Sequence, residues 1–315
     1  MSTTRQNADS MSPNDTPSGK AGEPAAWPPG DAPVAVILIT LDEAHNMDAV
    51  LTNLRGWARE VFVVDSHSAD ETVALARRHG ARVVRRRFRG FGDQWNFAVR
   101  ELPVTAPWTM KLDPDERLTD RLKASIVAEI GAGGAAGFSF DRRLHFMGRP
   151  LPVRQRVVRV WRTGRCRFTD VAVNEYPIVD GPVRRIAGLL EHHDSPDLDH
   201  WVAKQNRYTT AEATARASGV PAGAARLFGP LHERRRWLKR HFTKLPFRYV
   251  LLFLHHYLLQ GAWRAGSAGW RWSWMRCFVY RLQEYKLRET QRDGPARPSR
   301  FPRPGPPPPG GAHRP

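Results

Sequence analysis

The chain has 315 residues, enough for one large domain or two smaller ones with a sizeable core. Its formal charge of +18 favours polyanionic partners: nucleic acid, anionic lipid or phosphorylated substrates. Two well-separated cysteines, Cys166 and Cys277, give neither a disulfide framework nor a zinc spacing, which fits a reducing cytoplasm. The N-terminus lacks the apolar stretch of a signal peptide, so export is not expected.

Residues 1–32 are polar and rich in Pro, Gly and Ser, and 291–315 run through RPSRFPRPGPPPPGGAHRP. Neither tail can bury enough apolar surface to offset its ordering entropy, and both are expected to be disordered. Between them, residues 34–40 (VAVILIT) read as a buried strand. Met47, Val50, Leu51 and Leu54 then repeat as one face of a helix. EVFVVD (60–65) is a second strand. Ser68 and Glu71 have capping-box spacing before a helix that Gly80 stops. A short strand at 82–85, a helix over 91–101 and a strand at 108–112 follow. Leu122, Ile126 and Ile130 stripe a further helix, with Gly131 as its stop. Beyond about residue 135 the pattern changes to shorter strands, GFSFDRRL and RVVRVW, and a helix over 198–215.

Strands alternating with helices at this spacing predict a parallel α/β sheet, whose ligands bind beyond the carboxyl ends of the strands. Three polar clusters sit at such ends: Thr40-Leu41-Asp42-Glu43, Asp65 to Asp70, and Asp113-Pro114-Asp115-Glu116. No dinucleotide glycine fingerprint follows the first strand and no phosphate loop with its lysine is present. The paired carboxylates of the third cluster are either an acidic turn ahead of a helix or ligands for a hard cation completed by substrate phosphates.

In order, TLDEAHNM, VVDSHSADET, FRGFGDQWNFAV, WTMKLDPDE, FMGRPL, FTDVAVNE and LLEHHDSPDLDHWVAKQNRYTTAEA resemble glycosyltransferase family 2. Within it they are most similar to bacterial β-glycosyltransferases of lipopolysaccharide-core and cell-envelope assembly. The resemblance covers residues 34–215 well and continues more loosely to about 290. It implies a GT-A fold, an α/β architecture with a mostly parallel central sheet flanked by helices, over residues 33–225. It also implies transfer of a sugar from a nucleotide donor, a UDP-sugar for choice, with Mg2+ or Mn2+ as cofactor and inversion at the sugar. The acceptor would be a hydroxyl of an envelope glycan or glycolipid. The family's nucleotide-binding loops fall on Thr40, Asp42, Glu43 and Asp65, with Asp65 either accepting from the base or capping its own turn. Asp70 reads as structural. Asp115 is the preferred metal ligand, Asp113 reaches the ribose or the metal through water, and His192 matches a family histidine near the metal. Arg89 either contacts the diphosphate or belongs to a solvated basic face, and Asn96 is on the donor side, where Trp95 replaces a commoner basic residue. The base for the acceptor hydroxyl is placed on Glu175, in an Asn174-Glu175 pair where the family often shows His-Glu. Asp141 is the second candidate, with an ion pair to Arg142 or Arg143 as its alternative role.

Residues 226–290 form a basic, aromatic-rich helical region. Its basic cluster comprises Arg234 to Arg236, Lys239, Arg240, Lys244 and Arg248. Phe247 to Leu259 is apolar apart from Arg248, His255 and His256, but as a helix it reaches only about 20 Å, short of a hydrocarbon core of about 30 Å. Tryptophans 263, 270, 272 and 274, interleaved with Arg264, Arg271 and Arg276, point to a segment lying in a membrane interface, on the inner face of the cytoplasmic membrane. A helical hairpin packed on the catalytic domain, or a dimer contact, is the alternative. Two further functional readings remain: transfer to a polyprenyl phosphate, and a basic nucleic-acid-binding protein. The second lacks any recognised motif, and nucleic acid is not expected as a partner.

Overall fold

The computed structural model describes residues 26–169, 175–217 and 245–293, with six isolated positions between 226 and 242. Residues 1–25 and 294–315, most of the basic cluster and Asn174 lie outside the described residues.

An eight-stranded sheet runs in the order β3-β2-β1-β4-β7-β6-β10-β5. Its first half is parallel: β3 (Arg82–Arg85), β2 (Ala58–Asp65), β1 (Ala32–Thr40) and β4 (Trp108–Leu112). The second half is mixed. β7 (Arg149–Arg162) runs antiparallel to both β4 and β6 (Gly137–Phe146). β10 (Val183–His192) lies parallel to β6 and antiparallel to β5 (Glu116–Leu118). The two strands expected to be short are one long hairpin. Met147 (φ 50°) and Gly148 (φ 71°) form its two-residue turn, both in the left-handed region that matches strand twist. β8 (Cys166–Phe168) and β9 (Pro177–Val179) pair separately.

Side chains of β1 alternate between two cores. Val34, Val36 and Leu38 meet α1 (Ala44–Leu54) through Met47, Val50, Leu51 and Leu54, and α4 (Asp120–Ala132) through Leu122 and Ile126. Ala35 and Ile37 face the other way, onto α3 (Phe91–Glu101) through Trp95 and Ala98 and onto Trp161 and Phe168. Burial on both faces explains why β1 reads as an unbroken apolar run.

Two helix boundaries differ from expectation. α2 (Thr72–Arg78) has no capping box. Asp70 Oδ1 accepts from the Thr72 amide at 3.0 Å, while Ser68 turns back to Asp65. α4 runs past Gly131 and ends at Gly133, whose φ of 70° lets the chain leave the helix. At its other end, Thr119 Oγ1 accepts from the Leu122 amide at 3.3 Å.

Among the described residues, α5 (Leu198–Ala217), α6 (Arg248–Leu254, continued by a π-turn over His255–Leu259), a 3₁₀ turn (Ala262–Ala265) and α7 (Gly266–Asp293) follow the sheet. They share a third core with the β6–β7 hairpin, made by Phe146, Leu151, Val153, Trp201, Ala262, Trp272 and Val279. The alternative of helices packed on the sheet domain is thus realised for one face of this region. No helix among the described residues is long and apolar enough to cross a membrane.

Candidate active site

β1, β2 and β4 are neighbours in register, so the segments after Thr40, Asp65 and Leu112 emerge side by side at one edge of the sheet. The first two loops are tied to each other. The fully buried Asp65 accepts from Thr40 Oγ1 at 3.1 Å and from the Ser68 amide at 3.0 Å, and Arg85 stands 3.6 Å away. Asp42, with φ 56°, accepts from the Ala69 amide at 2.8 Å, and its own amide donates to Ser68 Oγ at 2.9 Å. Asp70 closes the junction by accepting from the Ala44 amide at 3.0 Å. Asp65 and Asp42 therefore build the two loops as well as lining them. Glu43 accepts from Asn46 at 2.8 Å. Burial lifts its carboxyl to about 7, with Asn46 opposing the rise and Asp115 adding to it.

The third segment is shaped by Glu116. Its fully buried carboxylate accepts from the Asp113 amide at 3.0 Å and meets Arg159 at 2.5 Å and Arg142 at 3.0 Å. The sequence marks Glu116 as part of the acidic cluster; its place is as the internal anchor of the turn. Arg159 also reaches Asp113 Oδ2 at 2.7 Å. Burial works to raise the Asp113 carboxyl, but Arg159, Lys111 and Arg142 outweigh it and bring it down to about 2.

Asp115 is the centre of a second cluster and is 6% exposed. Its Oδ2 lies 3.2 Å from His192 Nε2 and 2.9 Å from Lys204 Nζ, and its backbone oxygen accepts from the His193 amide at 2.8 Å. Burial opposes ionisation of Asp115, yet His192 and Lys204 hold it well below the usual carboxylate range. Asp194 completes the group, 2.9 Å from Lys204 and 3.9 Å from His192. One ligand atom each from Asp115, His192 and Asp194 lies within 4.8 Å of the others. Among the described residues, Asp115 Oδ1 is buried with no hydrogen-bond partner, and so is His192 Nδ1. Two carboxylate oxygens and an imidazole nitrogen, with an unspent buried oxygen among them, fit a divalent cation of the Mg2+ or Mn2+ type. Asp113 is turned instead toward Arg159 and Arg142.

Glu175 Oε1 is hydrogen-bonded by Lys111 of β4, whose ammonium also lies over the Trp95 ring, 4.4 Å from its centre. The pair sits on the α3 side of the sheet, with Lys111 one residue before the end of β4. Asp141 is elsewhere. It pairs with Arg185 at 2.9 Å and Arg156 at 4.0 Å, not with Arg142 or Arg143, which bind Glu116 and Glu191. Adjacent strand residues project to opposite faces, so with Arg142 turned to Glu116, Asp141 is turned away. Asn96 spends both ends of its amide on Phe168, donating to its carbonyl at 3.0 Å and accepting from its amide at 2.9 Å. That clamps α3 to β8. Arg89 is exposed, and its neighbour is Asp93.

The chain is similar in structure to the 1–349 portion of Staphylococcus aureus TarS in complex with UDP-GlcNAc, at 14% identity over 82% of this chain and 89% of that one, with a TM-score of 0.38. In sequence it is similar to an uncharacterized glycosyltransferase of Rickettsia bellii, 34% identical over 30% of this chain and 31% of that protein. It is also similar to one from Rickettsia prowazekii, 30% identical over 57% and 66%. The chain spans about a third of the length of the first relatives it matches. The model of Glycosyl transferase family 2 matches residues 35–188, which hold all three strand-end segments and Glu175. Residues 35–188 are thus the part of the chain that is similar to this family.

Proposed function

We propose that this protein is a metal-dependent, inverting glycosyltransferase that moves a sugar from a nucleotide donor, a UDP-sugar, to a hydroxyl of a cell-envelope glycan or glycolipid. The observation that carries the reading is the unspent Asp115 oxygen, buried among His192 and Asp194 beside the strand ends of Thr40 and Asp65.

Asp115, His192 and Asp194 would hold the cation. Bound there, it would offset charge growing on the departing nucleoside diphosphate. The protein's own residues do the rest. The tied loops carrying Thr40, Asp42, Glu43 and Asp65 present a rigid edge to the base and ribose, preorganised by the bonds between them. Arg159 and Arg142 keep Asp113 ionised and fixed in place, so it can accept a hydrogen bond from the donor. Lys111 holds one oxygen of Glu175, which leaves Oε2 to take the acceptor's hydroxyl proton as that oxygen attacks.

The exposed face of the C-terminal region supports a membrane-surface location. Phe247 is 82% and Leu259 81% exposed, with Val250, Leu251, Trp263, Trp270 and Trp274 about half exposed. Arg264 stacks on Trp263, its guanidinium 5.5 Å from the ring centre. An apolar face rimmed by Trp and Arg belongs at the headgroup level of a bilayer.

A thermal-shift screen of nucleotide sugars, each with and without Mn2+ or Mg2+, tests the proposal. One donor should raise the melting temperature only with metal, and a cooperatively folded Asp115→Asn should lose that shift, measured from the variant's own ligand-free melting temperature. A donor that stabilises Asp115→Asn as strongly as wild type would remove the metal site from the reading.

A further inference from the structure

The cluster that fits a divalent cation already contains a cation. Lys204 Nζ lies 2.9 Å from Asp115 Oδ2 and 2.9 Å from Asp194 Oδ1, and it donates to the Asp194 backbone oxygen at 3.0 Å. These are the two carboxylates that, with His192, form the group of converging ligand atoms. Lys204 is 15% exposed and reaches the cluster from α5, the helix after the site's last strand. A buried ammonium in this position satisfies two carboxylates that would otherwise repel each other in a weakly solvated site. It also cancels one of their two negative charges, which are the chief attraction for a metal ion.

We propose that Lys204 is a resident counter-cation that competes with the divalent metal for Asp115 and Asp194, so that metal enters only as the lysine ammonium gives up its place between them. Lys204 thereby sets how weakly the protein holds metal before a nucleotide arrives. The inference rests on the metal reading of this site.

The test is Mn2+ binding to the full chain without nucleotide, read by electron paramagnetic resonance of free Mn2+ and by calorimetry. Wild type is compared with Lys204→Met and Lys204→Gln, each checked for a cooperative melt. Displacing a unit positive charge from two carboxylates costs more than one tenfold step in affinity in a protein-like medium, a cost that a neutral side chain removes. Either neutral variant should therefore bind Mn2+ at least about tenfold more tightly than wild type. Equal or weaker Mn2+ binding by a folded neutral variant overturns the competition and leaves the metal reading standing. No Mn2+ binding by wild type or by either folded variant overturns the metal reading and the inference with it.

Discussion

The surroundings of Glu43 move its titration into the neutral range. Its carboxyl titrates near 4.5 when unfolded and about 7 in the fold, chiefly because it is buried. Between those values the folded protein holds a proton that the unfolded chain has lost. Stability therefore falls as pH rises from about 4.5 to about 7, and the loss is complete above that. Glu43→Gln keeps an acceptor for Asn46 and removes the titration. It should unfold at higher denaturant than wild type at pH 8, by up to about 3 kcal/mol, and match it at pH 4. Equal unfolding midpoints at pH 8 would show that Glu43 ionises without penalty. Glu175 is read differently, by its contact with Lys111 and its place near Asp113. Glu175→Gln should lower kcat by about 10²–10⁴-fold with little change in donor affinity, measured by initial rates and donor titration. Asp141→Asn, whose carboxylate is held by Arg185 and Arg156, should leave kcat within a few-fold of wild type.

At the scale of elements, β10 places His192 through an irregularity. Its register with β6 slips between Arg185 and Leu189, and Gly188 sits in the slip at φ 106°. A Cβ there would stand 2.6 Å from Leu122 Cα and 2.8 Å from its nitrogen, against backbone that cannot yield. Gly188→Ala should cost about 2–4 kcal/mol and loosen the end of β10, seen as a lower melting temperature and weaker Mn2+ binding. A wild-type melt would mean the slip is not needed. Gly188, isolated in the apolar run IAGLL, is the local sign of this bend. β1, β4 and α3 were legible because their apolar patterns have one strong period and no competing signal. Ser68 and Glu71 have capping-box spacing ahead of α2, yet Ser68 bonds to Asp65 and it is Asp70 that accepts from the Thr72 amide. Gly131 was misread because a helical glycine two residues early looks like a stop. The three carboxylate segments at the strand ends were visible as motifs. Their cationic partners were not: Arg159 lies 46 residues from Asp113 and Lys204 89 from Asp115, so only the fold brings them together. An arginine within the apolar run RVVRVW was the one available hint, since a charge in a buried strand needs a partner.

For the whole molecule, the charge of +18 and the exposed apolar face predict binding to anionic bilayers. In vesicle sedimentation at physiological salt, the protein should pellet with vesicles containing phosphatidylglycerol and much less with pure phosphatidylcholine. Replacing Phe247 and Leu259 by Ser should reduce the pelleted fraction severalfold, and an unchanged fraction would sink the interfacial reading. The third core carries a separate consequence. Trp201 packs on Phe146, with ring centres 5.7 Å apart, and belongs to the cluster closed by Trp272 and Val279 of α7. One helical turn later, the same α5 presents Lys204 to Asp115. A chain cut short after α5 would leave Trp201 without its wall and give the lysine's helix nothing to lean against. The smallest fragment that keeps the carboxylate cluster in shape is therefore not the sheet with its covering helices but the sheet together with its C-terminal buttress.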